Sequence, residues 1–268
     1  MAVDFVFIDS GTGGLPYMKY LTENYPQTSC IYVADAKNFP YGEKTAPQIT
    51  ECAVEFCQKV IEKFNPKVIV VACNTMSVTA LKELRSHFKI PFIGTVPAIK
   101  LAASVTKNKR IGLLATQRSV SSAYTARLIS EFASDCAVFS RADGKLINFI
   151  EENLTNHDKQ ARLDACKSAV EFFAENNCDT IILGCTHFIH VEDEIQFLAG
   201  KNVQVIDSRD GVVRQALKMR NKISQISGEL PCGIQNKTFF VTGFPSHMKE
   251  DDYKSIACAM EIPWGGVI

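Results

Sequence analysis

Short runs of β-branched and apolar residues alternate with helix-period segments along almost the whole chain, and this alternation limits the possible folds more than any other feature. Runs of this kind, bounded by turn residues and separated by amphipathic stretches, are how buried parallel strands with crossover helices appear in sequence. Strands are expected at residues 3–8, 30–34, 68–72, 91–94, 110–115, 137–140, 180–184 and 203–206, with one more at 238–242 ahead of a short helix. The helix pattern at 47–64 carries Ile49, Ala53, Phe56, Cys57, Val60 and Ile61 on one face and Glu51, Glu55, Lys59 and Glu62 on the other. The expected class is therefore α/β, with mostly parallel sheets flanked by helices.

At 268 residues the chain exceeds the usual domain of roughly 100 to 200 residues, so two domains are expected. Apolar residues make up 46% and charged residues 22%, the proportions of a packed globular chain. Lys plus Arg and Asp plus Glu both number 29, so no net field draws the chain to nucleic acid or to an anionic membrane. The amino terminus, Met1-Ala2-Val3-Asp4, has no basic region or cleavage signature and does not read as a signal peptide. Apolar stretches such as 68–73 fall far short of the roughly 20 residues a bilayer crossing needs. A cytoplasmic location is expected. The ten cysteines include no C-x-x-C pair, which argues against a disulfide framework, a zinc site or a redox pair. Cys52, Cys57, Cys166 and Cys258 sit in amphipathic helix patterns and are expected as small buried apolar side chains.

An internal echo links the two halves. Val68-Ile-Val-Val-Ala-Cys73-Asn-Thr75 and Thr180-Ile-Ile-Leu-Gly-Cys185-Thr-His187 share one plan: an apolar strand, a small residue, a cysteine, then polar residues opening a helix. Ligands of open parallel sheets bind beyond the carboxyl ends of the strands, where both cysteines fall. Two similar domains facing each other would place both ends across one cleft.

Such a pair suits a demanding proton transfer. Inverting the α-carbon of an amino acid requires a base on one face and an acid on the other, and a free Cys titrates near 8.5, so thiol and thiolate can coexist near neutrality. Helix starts favour the thiolate, and both Cys73 and Cys185 are read as opening helices. Each also has an ionisable neighbour: His187 lies two residues after Cys185, and Asp9 ends the first strand where it can face Cys73. The stretch Asp9-Ser10-Gly11-Thr12-Gly13-Gly14 opens a helix whose amides suit a carboxylate. It fails as a dinucleotide fingerprint, because Pro16 stands where the third glycine belongs. Asn74, Thr75 and Thr186 add neutral donors beside the cysteines, and Pro40-Tyr41-Gly42 lies in a long loop able to reach over the cleft.

In order and spacing, Asp9-Ser10-Gly-x-Gly-Gly-Leu15, Phe39-Pro40-Tyr41-Gly42, Ala72-Cys73-Asn74-Thr75 and Leu183-Gly-Cys-Thr-His187 resemble the glutamate racemases of the aspartate/glutamate racemase superfamily. Ile206-Asp207-Ser208 and Phe240-Val-Thr-Gly243 are similar too, so the resemblance spans nearly the whole chain. It implies two pseudosymmetric domains, 1–95 plus 208–268 and 96–207, with the active site in the cleft between them. It further implies no cofactor, neither pyridoxal phosphate nor metal, and glutamate as the small-molecule substrate. Cys73 would take the α-proton from D-glutamate and Cys185 from L-glutamate, assisted by Asp9 and His187 respectively. Ser10, Tyr41, Gly42, Asn74, Thr75 and Thr186, with Asp9 and His187, would hold the substrate. The implied role is supply of D-glutamate for bacterial peptidoglycan, by a homodimer.

The chain departs from the pattern in three places. Phe188-Ile189-His190 replaces the usual aromatic and proline after His187, and Phe244 stands where relatives tend to have Asp. The stretch 141–150 lacks the Cys-Pro often seen ahead of an acidic residue, so no supporting role is carried onto Glu151.

Three other functions fit parts of the pattern. An aspartyl-phosphate phosphatase needs a second Asp where Gly11 stands. A cysteine hydrolase or amidotransferase using Cys185 and His187 would need two residues so close in sequence to pair, and it lacks the glycine of a nucleophile elbow. A carboxylate-binding protein without catalysis would leave both cysteines incidental.

Overall fold

The structure, a computed structural model, describes residues 3–155, 158–227 and 237–268; Met1 and Ala2 of the amino terminus discussed above lie outside these described residues. In chain order the strands are β1 (Phe5–Asp9), β2 (Cys30–Ala34), β3 (Val68–Val71), β4 (Phe92–Gly94), β5 (Arg110–Ala115), β6 (Ala137–Ala142), β7 (Thr180–Leu183), β8 (Gln204–Ile206), β9 (Lys237–Val241) and β10 (Trp264–Val267). The helices are α1 (Leu15–Asn24), α2 (Ala46–Phe64), α3 (Asn74–His87), α4 (Ile99–Val105), α5 (Gln117–Val120), α6 (Ala123–Phe132), α7 (Gly144–Glu152), α8 (Lys159–Glu175), α9 (Glu192–Ala199), α10 (Arg209–Ser227) and α11 (Glu250–Ala259). The chain divides into one unit of Met1–Thr95 with Arg209–Ile268 and a second of Val96–Ser208.

The first unit is built on a six-stranded sheet of order β10-β9-β2-β1-β3-β4, every neighbouring pair parallel. Its central strands are buried along their whole length, which is why 5–8 and 68–71 read as unbroken apolar runs instead of alternating ones. Helix α2 lays Ile49, Ala53, Phe56, Cys57 and Val60 into this core, as its period predicts. Its start is fixed by a capping box, the Thr45 amide donating to Gln48 at 2.9 Å, and its end by Asn65 in the left-handed region at φ 43°. The second unit carries a four-stranded parallel sheet of order β6-β5-β7-β8. Ile99 and Ala102 of α4 pack there against Ile111, Leu113 and Ile182 of the sheet, with Leu128 and Ile129 of α6 beside them.

Two features differ from the sequence reading. Strand β10 was not expected, because Trp264-Gly265-Gly266-Val267 hides its pattern behind two glycines. The edge strand passes so close that a Cβ on Gly265 would lie 2.4 Å from the Phe240 ring, and its register shifts between Trp264 and Gly266. Cys258 is exposed and Cys52 only partly buried, whereas Cys57 and Cys166 are buried as expected. Tyr253, Ile256 and Ala257 occupy the inner face of α11, which leaves Cys258 on the outer one.

Gly14, at the start of α1, packs against the end of β3. A Cβ there would stand 2.7 Å from both the Cβ and the carbonyl oxygen of Ala72. Gly14→Ala is therefore expected to destabilise the protein by about 1–3 kcal/mol, the usual cost of overpacking. Urea unfolding measures it, and an unmoved midpoint would show that the loop has slack.

Candidate active site

In the first unit the end of β1, the glycine loop and the start of α3 converge because β1 and β3 are parallel neighbours, with Ile8 opposite Val71. Their carboxyl ends therefore finish side by side. The Ser10 amide donates to Asp9 Oδ1 at 2.6 Å, and the Ser10 hydroxyl lies 3.3 Å from the same oxygen and 3.8 Å from Cys73 Sγ. Cys73 is the N-cap of α3, its sulfur accepting from the Met76 N–H at 3.5 Å, an arrangement that favours a thiolate. The loop is held from beneath by Tyr32, which accepts from the Gly14 N–H at 3.0 Å and donates to the Gly11 carbonyl at 2.8 Å. Tyr32 was read only as part of a strand, since nothing local marks a phenol that closes a distant loop.

Asn74 and Thr75 follow Cys73 in the first turn of α3 and are buried. Asn74 is 2% exposed, yet among the described residues neither its side-chain oxygen nor its nitrogen has a hydrogen-bond partner. A buried amide in this state costs free energy unless a ligand completes it. Tyr41 opens a 3-10 turn, Tyr41–Glu43, that also contains the half-buried Gly42. Its phenol donates to Asp35 at 2.6 Å; burial first, then the Asp35 charge, push the phenol far above its ordinary range. Its proton is thus committed to Asp35, which also accepts from Asn38 at 3.0 Å and from Thr242 at 2.7 Å. The Tyr41 phenol therefore anchors the turn on Asp35, and any hold of Tyr41 on a substrate would fall to its backbone.

In the second unit β7 ends before Gly184, and Cys185 sits in extended conformation, φ −134° and ψ 140°, ahead of a 3-10 turn at Thr186–Val191. Cys185 therefore does not cap an α-helix as read from sequence, and its side chain makes no capping bond. It meets His187 instead, Sγ to Nδ1 at 3.7 Å, so residues two apart do pair, contrary to the argument against a thiol–imidazole dyad. The extended backbone at Cys185 turns its sulfur towards the ring two residues on. Thr186 is buried between them in sequence.

The other ring nitrogen of His187 lies 2.8 Å from Glu151 Oε2, both side chains being buried. Burial by itself would lower the His187 pKa, but hydrogen bonds to Cys185 and Glu151 and the charges of both hold it well above the usual value. Glu151 is thus the residue to which the sequence alone assigned no role, although it partners His187. A signal was present: on α7 the buried Leu146, Ile147 and Ile150 define an inner face, and Glu151, four residues after Ile147, falls on it. Asp143 starts that helix by accepting from the Leu146 N–H at 3.0 Å. Among the described residues no group of three or more His, Cys, Asp or Glu side chains is placed to hold a metal ion.

The sequence profile of the Asp/Glu/Hydantoin racemase family matches residues 17–216. The chain belongs to the Asp/Glu/Hydantoin racemase family. This racemase, an isomerase by class, is 38% identical over 264 residues to a glutamate racemase of Treponema pallidum subsp. pallidum, a match covering 98% of this chain and 96% of the relative. Its fold is that of the glutamate racemase from Escherichia coli in complex with L-glutamate and the activator UDP-MurNAc-ala, at 29% identity and a TM-score of 0.85, with 99% of this chain and 98% of that one covered. The Francisella tularensis glutamate racemase in complex with D-glutamate is similar too, at 25% identity and a TM-score of 0.74, covering 99% and 97%. Membership sets aside the hydrolase, which the Cys185–His187–Glu151 chain would otherwise suit, together with the phosphatase and the passive binding protein. No helix of the racemase, among the described residues, is long and apolar enough to cross a membrane.

Proposed function

We propose that this racemase interconverts L- and D-glutamate without a cofactor, by proton transfer between two cysteines. The observation that carries the reading is that each strand-end thiol has a built polar neighbourhood: Ser10 and Asp9 beside Cys73, His187 and Glu151 beside Cys185. In the L to D direction the Cys185 thiolate takes the α-proton, and the Cys73 thiol returns a proton to the opposite face. One turnover leaves Cys185 as thiol and Cys73 as thiolate, ready for the reverse reaction. His187, kept protonated, steadies the negative charge on Cys185, and the Met76 amide does so for Cys73. Asn74, Thr75, Thr186 and Ser10 supply neutral donors for the substrate's carboxylates and amino group. Glutamate rather than aspartate is supported by the relatives, which are glutamate racemases. The same resemblance supports a cytoplasmic homodimer that feeds D-glutamate into peptidoglycan.

The test uses purified, chelator-treated protein with L-glutamate or L-aspartate, followed by circular dichroism. The signal should decay to zero with glutamate and hold with aspartate; a stable glutamate signal, or aspartate inverted as fast, would overturn the reading.

The unpartnered amide of Asn74 makes a separate prediction. Asn74→Ala should lower kcat/KM by about 10- to 100-fold, the size of a hydrogen bond to a charged group, while leaving Tm unchanged or raised. A side chain that matters only for folding would lower Tm instead, and that result would remove Asn74 from the substrate site.

A further inference from the structure

Helix α8 buries Cys166, Ala169, Val170 and Phe173, a stripe at helical spacing whose Phe173 lies against Gly112 of β5. Continued one turn towards the amino end, the stripe reaches Arg162, so a guanidinium stands where the pattern calls for an apolar side chain. Its partners explain the exception. The Arg162 Nε donates to Glu194 Oε1 at 2.7 Å and one terminal nitrogen donates to Oε2 at 3.3 Å, a two-pronged pair with side chains only 20% and 11% exposed. The same terminal nitrogen donates to the His190 carbonyl oxygen.

Both contacts fall on one stretch of chain. His190 belongs to the 3-10 turn Thr186–Val191, and Glu194 to the first turn of α9, which follows without a break. A 3-10 helix has three residues per turn, so His190 lies one turn after His187, and holding its carbonyl holds the backbone from which the His187 ring projects. No proline stiffens that backbone, Thr186-His-Phe-Ile-His-Val191. Arg162 also borders α7: with His190, Val191, Phe149 and Ile150 it lines a cavity of about 10 Å³, room for at most one water. Ile150 precedes Glu151, which meets His187 at 2.8 Å. One side chain thus borders both elements whose spacing sets the Cys185–His187–Glu151 chain.

We infer that Arg162 is a positioning residue for the Cys185 half of the racemisation, its fork locking the turn that holds His187 between Cys185 and Glu151. The inference rests on the proposed reading in which Cys185 exchanges the α-proton of L-glutamate and Cys73 that of D-glutamate. Loosening the turn then raises the barrier on one face of the carbon and leaves the other face alone.

Arg162→Lys keeps the charge but not the fork, and Arg162→Met removes both. They should lower kcat/KM for glutamate by about 10-fold and 100-fold respectively, the scale of a displacement near 1 Å. Enantiomers of equal energy make that loss the same in both directions, so the affected side is read from α-deuterated substrates. With deuterated L-glutamate the primary isotope effect on kcat/KM should grow, because abstraction by Cys185 has become the slow step, while with deuterated D-glutamate it should fall towards one. A merely structural loss would scale both rates and leave both isotope effects in place; that result, or the parent rate in either variant, overturns the inference. An effect that grows with the D substrate instead would keep Arg162 in its role and overturn the assignment of Cys185 to L-glutamate. Hydrogen exchange needs no substrate: amides of 186–194 should exchange about tenfold faster in Arg162→Met, with those of 110–115 unchanged. Unchanged exchange at 186–194 would overturn the clamp, whatever substrate the parent turns over.

Discussion

Alanine at Cys73 or at Cys185 should slow the racemisation of glutamate by about 10²- to 10⁴-fold in both directions, the contribution expected of one positioned acid or base. The loss is bidirectional because each thiol serves as base one way and as acid the other. The remaining buried thiols supply the control. Burial, aided by the Glu194 charge, pushes the Cys166 thiol up to about 12, and burial pushes Cys178 up to about 11, so both remain protonated and inert near neutrality. Cys166→Ala should cost stability and leave the rate per folded molecule alone. Initial rates by circular dichroism decide the matter, and a Cys73 or Cys185 variant within a few-fold of the parent would remove that residue from the chemistry.

Glu151→Leu should destabilise the protein near neutral pH, by at most about 3–5 kcal/mol, since the buried imidazolium loses its counter-charge and gives up its proton instead of staying unpaired. The sign of the pH dependence follows from His187, whose folded pKa is raised. A raised value means that the protonated pair contributes fully below the unfolded pKa, about 6.5, and that this contribution fades as pH rises through the folded value. The Tm gap between parent and variant should therefore be wide at mildly acid pH and narrow on the alkaline side. The rate should fall as well, because His187 would no longer be held protonated beside Cys185 at 3.7 Å. A gap independent of pH would mean that Glu151 and His187 meet as neutral partners.

The strands could be read because buried parallel strands leave an apolar signature that turn residues punctuate, as at 5–8 and 68–71. Strand β10 escaped because its glycines serve a close approach to Phe240 and carry no hydrophobic period. Cys73, Cys185 and Asp9 could be read as site candidates because position after a strand is a local property. Glu151 could not be assigned by motif, since its partner lies 36 residues away, and only its place on the inner face of α7 betrays it. The commitment of Tyr41 to Asp35 was equally hidden: a phenol's sequence context does not say where its proton goes. The nearness of His187 to Cys185 could be read from their spacing, whereas the helical start assumed at Cys185 is extended backbone.

Proton transfer by two thiols on opposite faces of one carbon is tested most directly by running L-glutamate to D-glutamate in D₂O and stopping the reaction early. Each thiol holds a single exchangeable hydrogen, so the returning acid carries deuterium from solvent while the abstracted proton leaves on the other sulfur. The D-glutamate formed should be fully deuterated at the α-carbon, and the unreacted L-glutamate should still carry protium. D-Glutamate that keeps the original α-proton would mean that one group carries it across, contradicting the two-thiol account.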